Sequence, residues 1–337
     1  MTTRPLSPLT MLPSRHTRRR EFILALGGAA LWPLAGRAQH STMLRVGFVG
    51  VQPREAALYN SFRRRMAELG YQEGRNFTFD YIQTPNLEGY ENGYRELAAR
   101  KVDVFLAVGN ERALRAALAA ADGRPIVFLA IDFDPLAKGY VANLSRPGGS
   151  VTGIFVRQLE LAAKRVEIAR EAFPRATVLG IAYDTISREQ GDATAEAARK
   201  LGLEPRMIEM KGQHGYGGAF DAMHDAGGQP IILPAGPMFF RDREAIAQAL
   251  RERRIPSIAA FRENSEAGVL ISYGFDLVGL FRDIAGYVHL IARGANPSET
   301  PIKQSVRVHL AVNLKTAASL GVSLSDAFVA RADEVIE

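Results

Sequence analysis

The sequence predicts an α/β protein of two similar lobes, each a parallel sheet with helices on both faces. Three observations carry this expectation. Apolar β-branched runs alternate with amphipathic segments along the chain, the pattern of parallel strands joined by helical crossovers. A strand–helix–glycine–strand unit at Leu44–Tyr81 recurs 132 residues later. The chain, 337 residues long, also exceeds what one hydrophobic core usually serves.

The first element is a leader rather than part of a fold. Arg19 and Arg20 precede Phe22–Leu34, a short apolar run closed by small residues at Gly36 and Ala38. That order of charged, apolar and small parts reads as a twin-arginine export signal cleaved after Ala38. The run falls short of the ~20 apolar residues a membrane-spanning helix needs, and Pro33 interrupts its end. Residues 1–38 hold six arginines against Glu21, a net of +5, so only +1 of the whole-chain +6 belongs to the remaining 299 residues. Charge therefore makes no case for nucleic acid. With no cysteine in the chain, disulfides and thiolate metal sites are excluded. The expectation is a soluble periplasmic protein, exported by the twin-arginine translocase.

After the leader, Leu44–Val51 reads as a buried strand. Arg54–Leu69 places Leu58, Phe62, Met66 and Leu69 on one helical face and stops at Gly70, and Phe77–Tyr81 follows as a strand. Val102–Val108 and Ile126–Ile131 are strands flanking an alanine-rich helix at Glu111–Ala121. Ser145–Gly153 breaks regular structure at Pro147-Gly148-Gly149, and Val151–Val156 runs on as a connecting strand. The echo begins at Ala176–Tyr183, continues through a helix at Ser187–Leu201 opened by a Ser187/Gln190 capping box and stopped by Gly202, and returns at Pro205–Met210. Gly212–Gly218 reads as a loop. Ile231–Ala235 and Ile255–Phe261 flank a helix at Arg241–Arg253; Val269–Tyr273, a long helix at Leu277–Arg293 and a strand–helix piece at Val306–Leu320 complete the chain. The lobes are expected at 43–155 with 274–300, and at 156–273 with 301–337.

Open parallel sheets place ligands beyond the carboxyl ends of their strands, where loops enter helices. That rule selects Gln52, Asn110, Glu111, Asp132 and Asp134 from the first lobe. From the second it selects Tyr183, Asp184, Gly236, Phe261 and Arg262, with Tyr273 near a crossing. Asp134, directly before Pro135, also has a capping explanation, which Asp132 lacks. Phe261, Tyr183 and Tyr273 also suit packing. Enzymatic constellations are missing: no G-x-S-x-G elbow, phosphate loop, G-x-G-x-x-G after a strand or H-E-x-x-H occurs. The six histidines show no recognised metal spacing. The expectation is a non-enzymatic protein without cofactor or metal.

Several segments together resemble a known family. RRREFI and WPLAGRAQ in the leader, LGYQEGRN at 69–76, DPLAKGYVANLSRPGGSVTG at 134–153, ISYG at 271–274, VNLKTAASLG and the terminal ARADEVIE are similar to the ABC-transporter substrate-binding proteins described as tryptophan/tyrosine transport-type. The resemblance covers essentially the whole chain. It departs from the commoner pattern at 49–52 and 108–112, in two first-lobe loops. It implies a type I periplasmic binding-protein fold, two Rossmann-like lobes joined by three crossings, closing on a small-molecule ligand such as an aromatic or other amino acid, and delivering it to an inner-membrane ABC permease. An extracytoplasmic sensor presenting its ligand to a receptor kinase is the alternative expectation.

Overall fold

The computed structural model describes residues 43–131, 133–212 and 215–337; the leader, Asp132 and His214 lie outside them. In chain order the first elements are β1 Leu44–Gly50, α1 Ala57–Glu68, β2 Phe77–Gln83, α2 Tyr90–Ala99, β3 Val104–Gly109, α3 Glu111–Ala121, β4 Ile126–Ala130, β5 Val151–Val156 and α4 Gln158–Ala172. There follow β6 Val178–Tyr183, α5 Arg188–Lys200, β7 Glu204–Glu209, α6 Tyr216–Asp225, β8 Ile231–Ile232, α7 Pro237–Arg241, α8 Arg243–Glu252, β9 Ser257–Ala259, α9 Arg262–Ala267 and β10 Ile271–Phe275. The last are α10 Leu277–Ala292, β11 Lys303–Ser305, β12 Val308–Asn313, α11 Leu314–Leu320, α12 Asp326–Val329 and β13 Glu334–Ile336.

The strands form two sheets. The first has the order β11-β5-β4-β3-β1-β2 with every pair parallel. The second has the order β13-β12-β10-β9-β8-β6-β7. Here the parallel expectation needs a correction: β12 runs antiparallel to β10, pairing Ile271 with Val312 and Phe275 with Val308. β12 enters from the first lobe, so it starts at the end of the sheet where β10 finishes.

Each sheet is covered on both faces. Leu58, Phe62 and Met66 of α1 pack with Ile284 and Val288 of α10 on one face of the first sheet, and Tyr94, Leu97, Leu114 and Ala117 of α2 and α3 on the other. In the second lobe, α4 and α5 contribute Val166, Ala169, Ala195 and Ala198 to one face, while Phe220, Phe239, Ile246 and Leu250 fill the other. The chain crosses between lobes three times: from β5 into α4, from β10 into α10, and from β11 into β12. Lys303–Ser305 pairs with Ile154–Val156 at the edge of the first sheet.

The 132-residue echo has a physical basis in its helix ends. Gly70 (φ 93°) and Gly202 (φ 73°) both turn left-handed. The next amide then reaches back to the last turn, Tyr71 N to Met66 O at 2.9 Å and Leu203 N to Ala198 O at 2.9 Å, the double-bonded stop that favours glycine. The predicted capping box does not form. Ser187 donates its hydroxyl to Asp184, and Gln190 reaches across to Ala235 instead. The stretch read as a loop at Gly212–Gly218 contains the start of α6 at Tyr216. Among the described residues no helix is long and apolar enough to cross a membrane.

Candidate functional site

The carboxyl ends of β1, β3 and β4 meet the loops after β8 and β9 around a cavity of about 90 Å³. Its walls include six aromatic rings: Phe48, Tyr59, Tyr90 and Phe281 from the first lobe, Phe240 and Phe261 from the second. Phe48 meets Tyr59 edge-on with centroids 5.0 Å apart, and Phe240 meets Phe261 at 5.4 Å and 89°, the tilted geometry that ring quadrupoles favour. Gly50 is required here, because a Cβ would lie 2.6 Å from the Tyr59 hydroxyl and 3.0 Å from that of Tyr81. The Tyr81 hydroxyl donates to the carbonyl of Gln52, which fixes the loop that follows β1. Burial pushes the Tyr59 phenol well above its usual range, and Tyr81 upward as well, so both remain neutral.

Two amides stand out among these rings. Gln52 and Asn110 are buried, at 8% and 4% exposure, and the Nε2 of one and the Nδ2 of the other have no hydrogen-bond partner. A buried donor without a partner costs about 1–3 kcal/mol, so an acceptor that reached either amide would recover that cost. Asn110 also caps α3: its Oδ1 accepts from Ala113 N at 3.0 Å, which directs the remaining Nδ2 away from the helix. The positive end of α3 adds to the preference for a negatively charged acceptor.

The second-lobe wall is held by Gln190. Its Nε2 donates to Ala235 O at 2.7 Å and its Oε1 accepts from Ala235 N at 3.0 Å, setting the loop that presents Gly236, Pro237 and Phe240. Arg241 reaches the other lobe, donating to Pro85 O at 3.5 Å, while its guanidinium pairs with buried Asp242 at 2.7 Å.

A wider recess adjoins the cavity, and a second shares Phe133, Lys138 and Glu189 with that recess. The first, of about 630 Å³, shares Asn110 with the cavity and is lined by Glu111, Arg112, Arg115 and Lys138 of the first lobe and Ile186 and Glu189 of the second. The other, of about 380 Å³, lies where β5 crosses into α4 and includes Asp134, Arg157 and Gln158. Behind it sits Arg165, fully buried, held by Tyr273 O and Gln158 Oε1 at 2.8 Å each. Burial lowers its pKa to about 9, so at neutral pH it stays cationic and ties two crossings together.

Of the residues selected from the sequence, Gln52, Asn110, Gly236 and Phe261 come together at the aromatic cavity. Glu111 lines the larger recess, where it accepts from the Tyr140 hydroxyl at 2.7 Å and faces Lys138 at 3.4 Å. Asp134 lines the smaller one and caps a turn, its Oδ1 accepting from Leu136 N and Ala137 N at 2.8 and 3.1 Å. Asp184 is closed on Ser187, and Tyr183 lies under the Arg188 guanidinium at 4.8 Å. Arg262 pairs with Glu334 and with Glu266 at 2.9 Å, and Tyr273 packs at the edge of both lobe cores. Asp132 lies outside the described residues, directly after cavity-lining Ile131. Sequence reading missed Phe48, Tyr59, Tyr90, Phe240 and Phe281. Each sits in an ordinary apolar position of a strand or helix, so periodicity alone gives no signal. Among the described residues no group of three or more histidines and acids could hold a metal ion.

Comparison with known proteins agrees with this architecture. A family model described as ABC transporter substrate binding protein matches residues 52–336. A tyrosine-binding protein of Clostridioides difficile is 23% identical over 265 residues, covering 77% of this chain and 75% of that protein. A conserved domain protein of Vibrio cholerae is similar in structure with a TM-score of 0.79 at 23% identity, over 87% of this chain and 99% of that one. An ABC domain from Streptococcus pneumonia in complex with L-Trp reaches 0.77 at 20% identity over the same shares. At greater distance, a periplasmic binding protein/LacI regulator of Alkaliphilus metalliredigens complexed with D-xylulofuranose scores 0.54 at 13% identity, over 79% of this chain and 97% of that one. With its type I periplasmic binding-protein fold, this chain belongs to the ABC transporter substrate binding protein family.

Proposed function

We propose that the protein captures a small solute bearing an aromatic ring and a carboxylate between its lobes, and delivers it to an inner-membrane ABC permease. The observation that carries this reading is the pair of unpartnered buried amides, Gln52 Nε2 and Asn110 Nδ2, set among aromatic rings at the interlobe cavity. The rings supply contact area for an aryl group, and the amides with the α3 terminus supply the carboxylate partner. Relatives described as tyrosine-binding or bound to L-Trp support aromatic amino acids as the first candidates. The cavity of about 90 Å³ is smaller than the ~150 Å³ that holds benzene in an apolar core. A ring therefore enters as the aromatic walls part, and the lobes close over it.

The twin arginines of the leader support export to the periplasm with cleavage after Ala38. The lobe division proposed is 43–155 with 274–300, and 156–273 with 301–337 apart from the β11 segment. The test is a thermal-shift and calorimetric panel of tyrosine, tryptophan, phenylalanine and their decarboxylated amines. Stabilisation by the amino acids, with at least tenfold weaker binding of the amines, is the expected outcome. Equal binding of an acid and its amine would sink the reading.

A further inference from the structure

We propose that the 630 Å³ recess is a second subsite for the same solute, binding an anionic group beyond the ring and the carboxylate. This rests on the solute reading above and extends it from free aromatic amino acids to aromatic compounds carrying a charged tail. The recess adjoins the cavity, because Asn110 lines both, and the Asn110 Nδ2 has no hydrogen-bond partner. Within the first turn and a half of the helix that Asn110 caps, Arg112 and Arg115 line the recess. They are three residues apart, so their side chains are neighbours on α3. Neither guanidinium makes a hydrogen bond or an ion pair among the described residues, whereas the third cation of the recess, Lys138, faces Glu111. Two free guanidinium groups beside a helix N-terminus suit a carboxylate or phosphate, which they can hold with paired N–H donors.

The acids of the recess refine what fits. Glu111 is engaged by the Tyr140 hydroxyl as well as by Lys138. Glu88 receives only the Asn86 amide, at 3.5 Å. Glu189, from the second lobe, has no partner among the described residues. The recess is therefore no general anion trap: it offers cations on the first-lobe wall and an unpaired acid opposite. A solute whose extension carries an anion toward α3 and an ammonium toward Glu189 matches both walls. An aromatic residue with an acidic residue joined to its amine has that arrangement.

The dipeptides Glu-Tyr and Gln-Tyr, nearly identical in shape and differing in one charge, test this by calorimetry alongside tyrosine. Glu-Tyr should bind about fivefold or more tightly than Gln-Tyr at low salt. The ratio should fall to within about twofold of one in the Arg112→Ala/Arg115→Ala double variant. A ratio near one in the unaltered protein overturns the proposal, as does a ratio the double variant retains. If tyrosine binds and neither dipeptide does, the recess takes no extension and only the second subsite falls. If no probe binds, the solute reading itself fails and the subsite with it.

Discussion

Two junctions of the same kind, β3 into α3 and β6 into α5, have opposite fates. Both lie at the carboxyl end of a strand, and both carry a short polar residue where a helix begins. At the second, the polar pair is closed on itself: Ser187 N and Oγ donate to Asp184 Oδ1 at 2.8 and 2.7 Å, and Asp184 N donates to Ser187 Oγ at 2.9 Å. At the first, Asn110 spends its oxygen on the helix and keeps its amide N–H group, buried and unpartnered, for the cavity. The difference teaches that a strand-end polar residue becomes a candidate ligand contact when capping leaves part of it over. An asparagine at the cap can do this because it is donor and acceptor at once.

The largest effect expected from breaking this contrast is on stability, at the closed junction. Asp184→Ala leaves the buried Ser187 amide and hydroxyl without their acceptor, and chemical denaturation should show a loss of about 2–4 kcal/mol. A loss below about 0.5 kcal/mol would mean the Asp184–Ser187 ring does not hold α5.

The open junction should respond in affinity rather than stability. Asn110→Asp keeps an acceptor for Ala113 N, so folding should change by less than about 0.5 kcal/mol, since the two residues cap equally well. It replaces the free donor by a negative charge, and calorimetry should show carboxylate-bearing ligands weakened about 10- to 100-fold. Full affinity in this variant would remove Asn110 from the site. Asn110→Ala sharpens the point: it should lose both the contact and about 1 kcal/mol of cap stability.

The smallest effect concerns Arg262, another strand-end residue spent on structure. Its hydrogen bonds hold the Glu334 carboxyl below its usual value. A carboxyl depressed on folding adds stability that is present above its unfolded pKa and lost as pH falls through the folded one. Glu334→Gln should therefore flatten the fall of stability between about pH 5 and 3. The change is modest, because the pair is partly exposed and water and salt screen it. An acid limb unchanged by the substitution would show that the ion pair carries no stability.

Much of the fold is legible locally. The strand Val151–Val156, the helix Glu111–Ala121 and the glycine stops at Gly70 and Gly202 all follow from residues within a few positions of one another. Of the candidate cavity's lining, the sequence points to Gln52, Asn110, Gly236 and Phe261, where chemistry and strand-end position coincide. The capping box at Ser187 misleads, because Gln190 has a better partner in Ala235, 45 residues away. Whether a polar side chain bonds its own helix or a distant backbone is decided by what packs beside it, which spacing does not record.

By itself, then, the sequence determined the alternation of strands and helices, the two-lobed plan, and the apolar faces that build four cores, because these depend on periodicity and on short-range backbone preferences. Tertiary structure alone decided the antiparallel entry of β12, the pairing of Arg262 with Glu334 across 72 positions, and the aromatic lining of the cavity. Phe48, Tyr59, Tyr90, Phe240 and Phe281 come from five separate elements. They meet because the chain crosses between lobes and because α10 returns to pack on α1. Ring contacts of that range follow the fold and have no signature in sequence spacing.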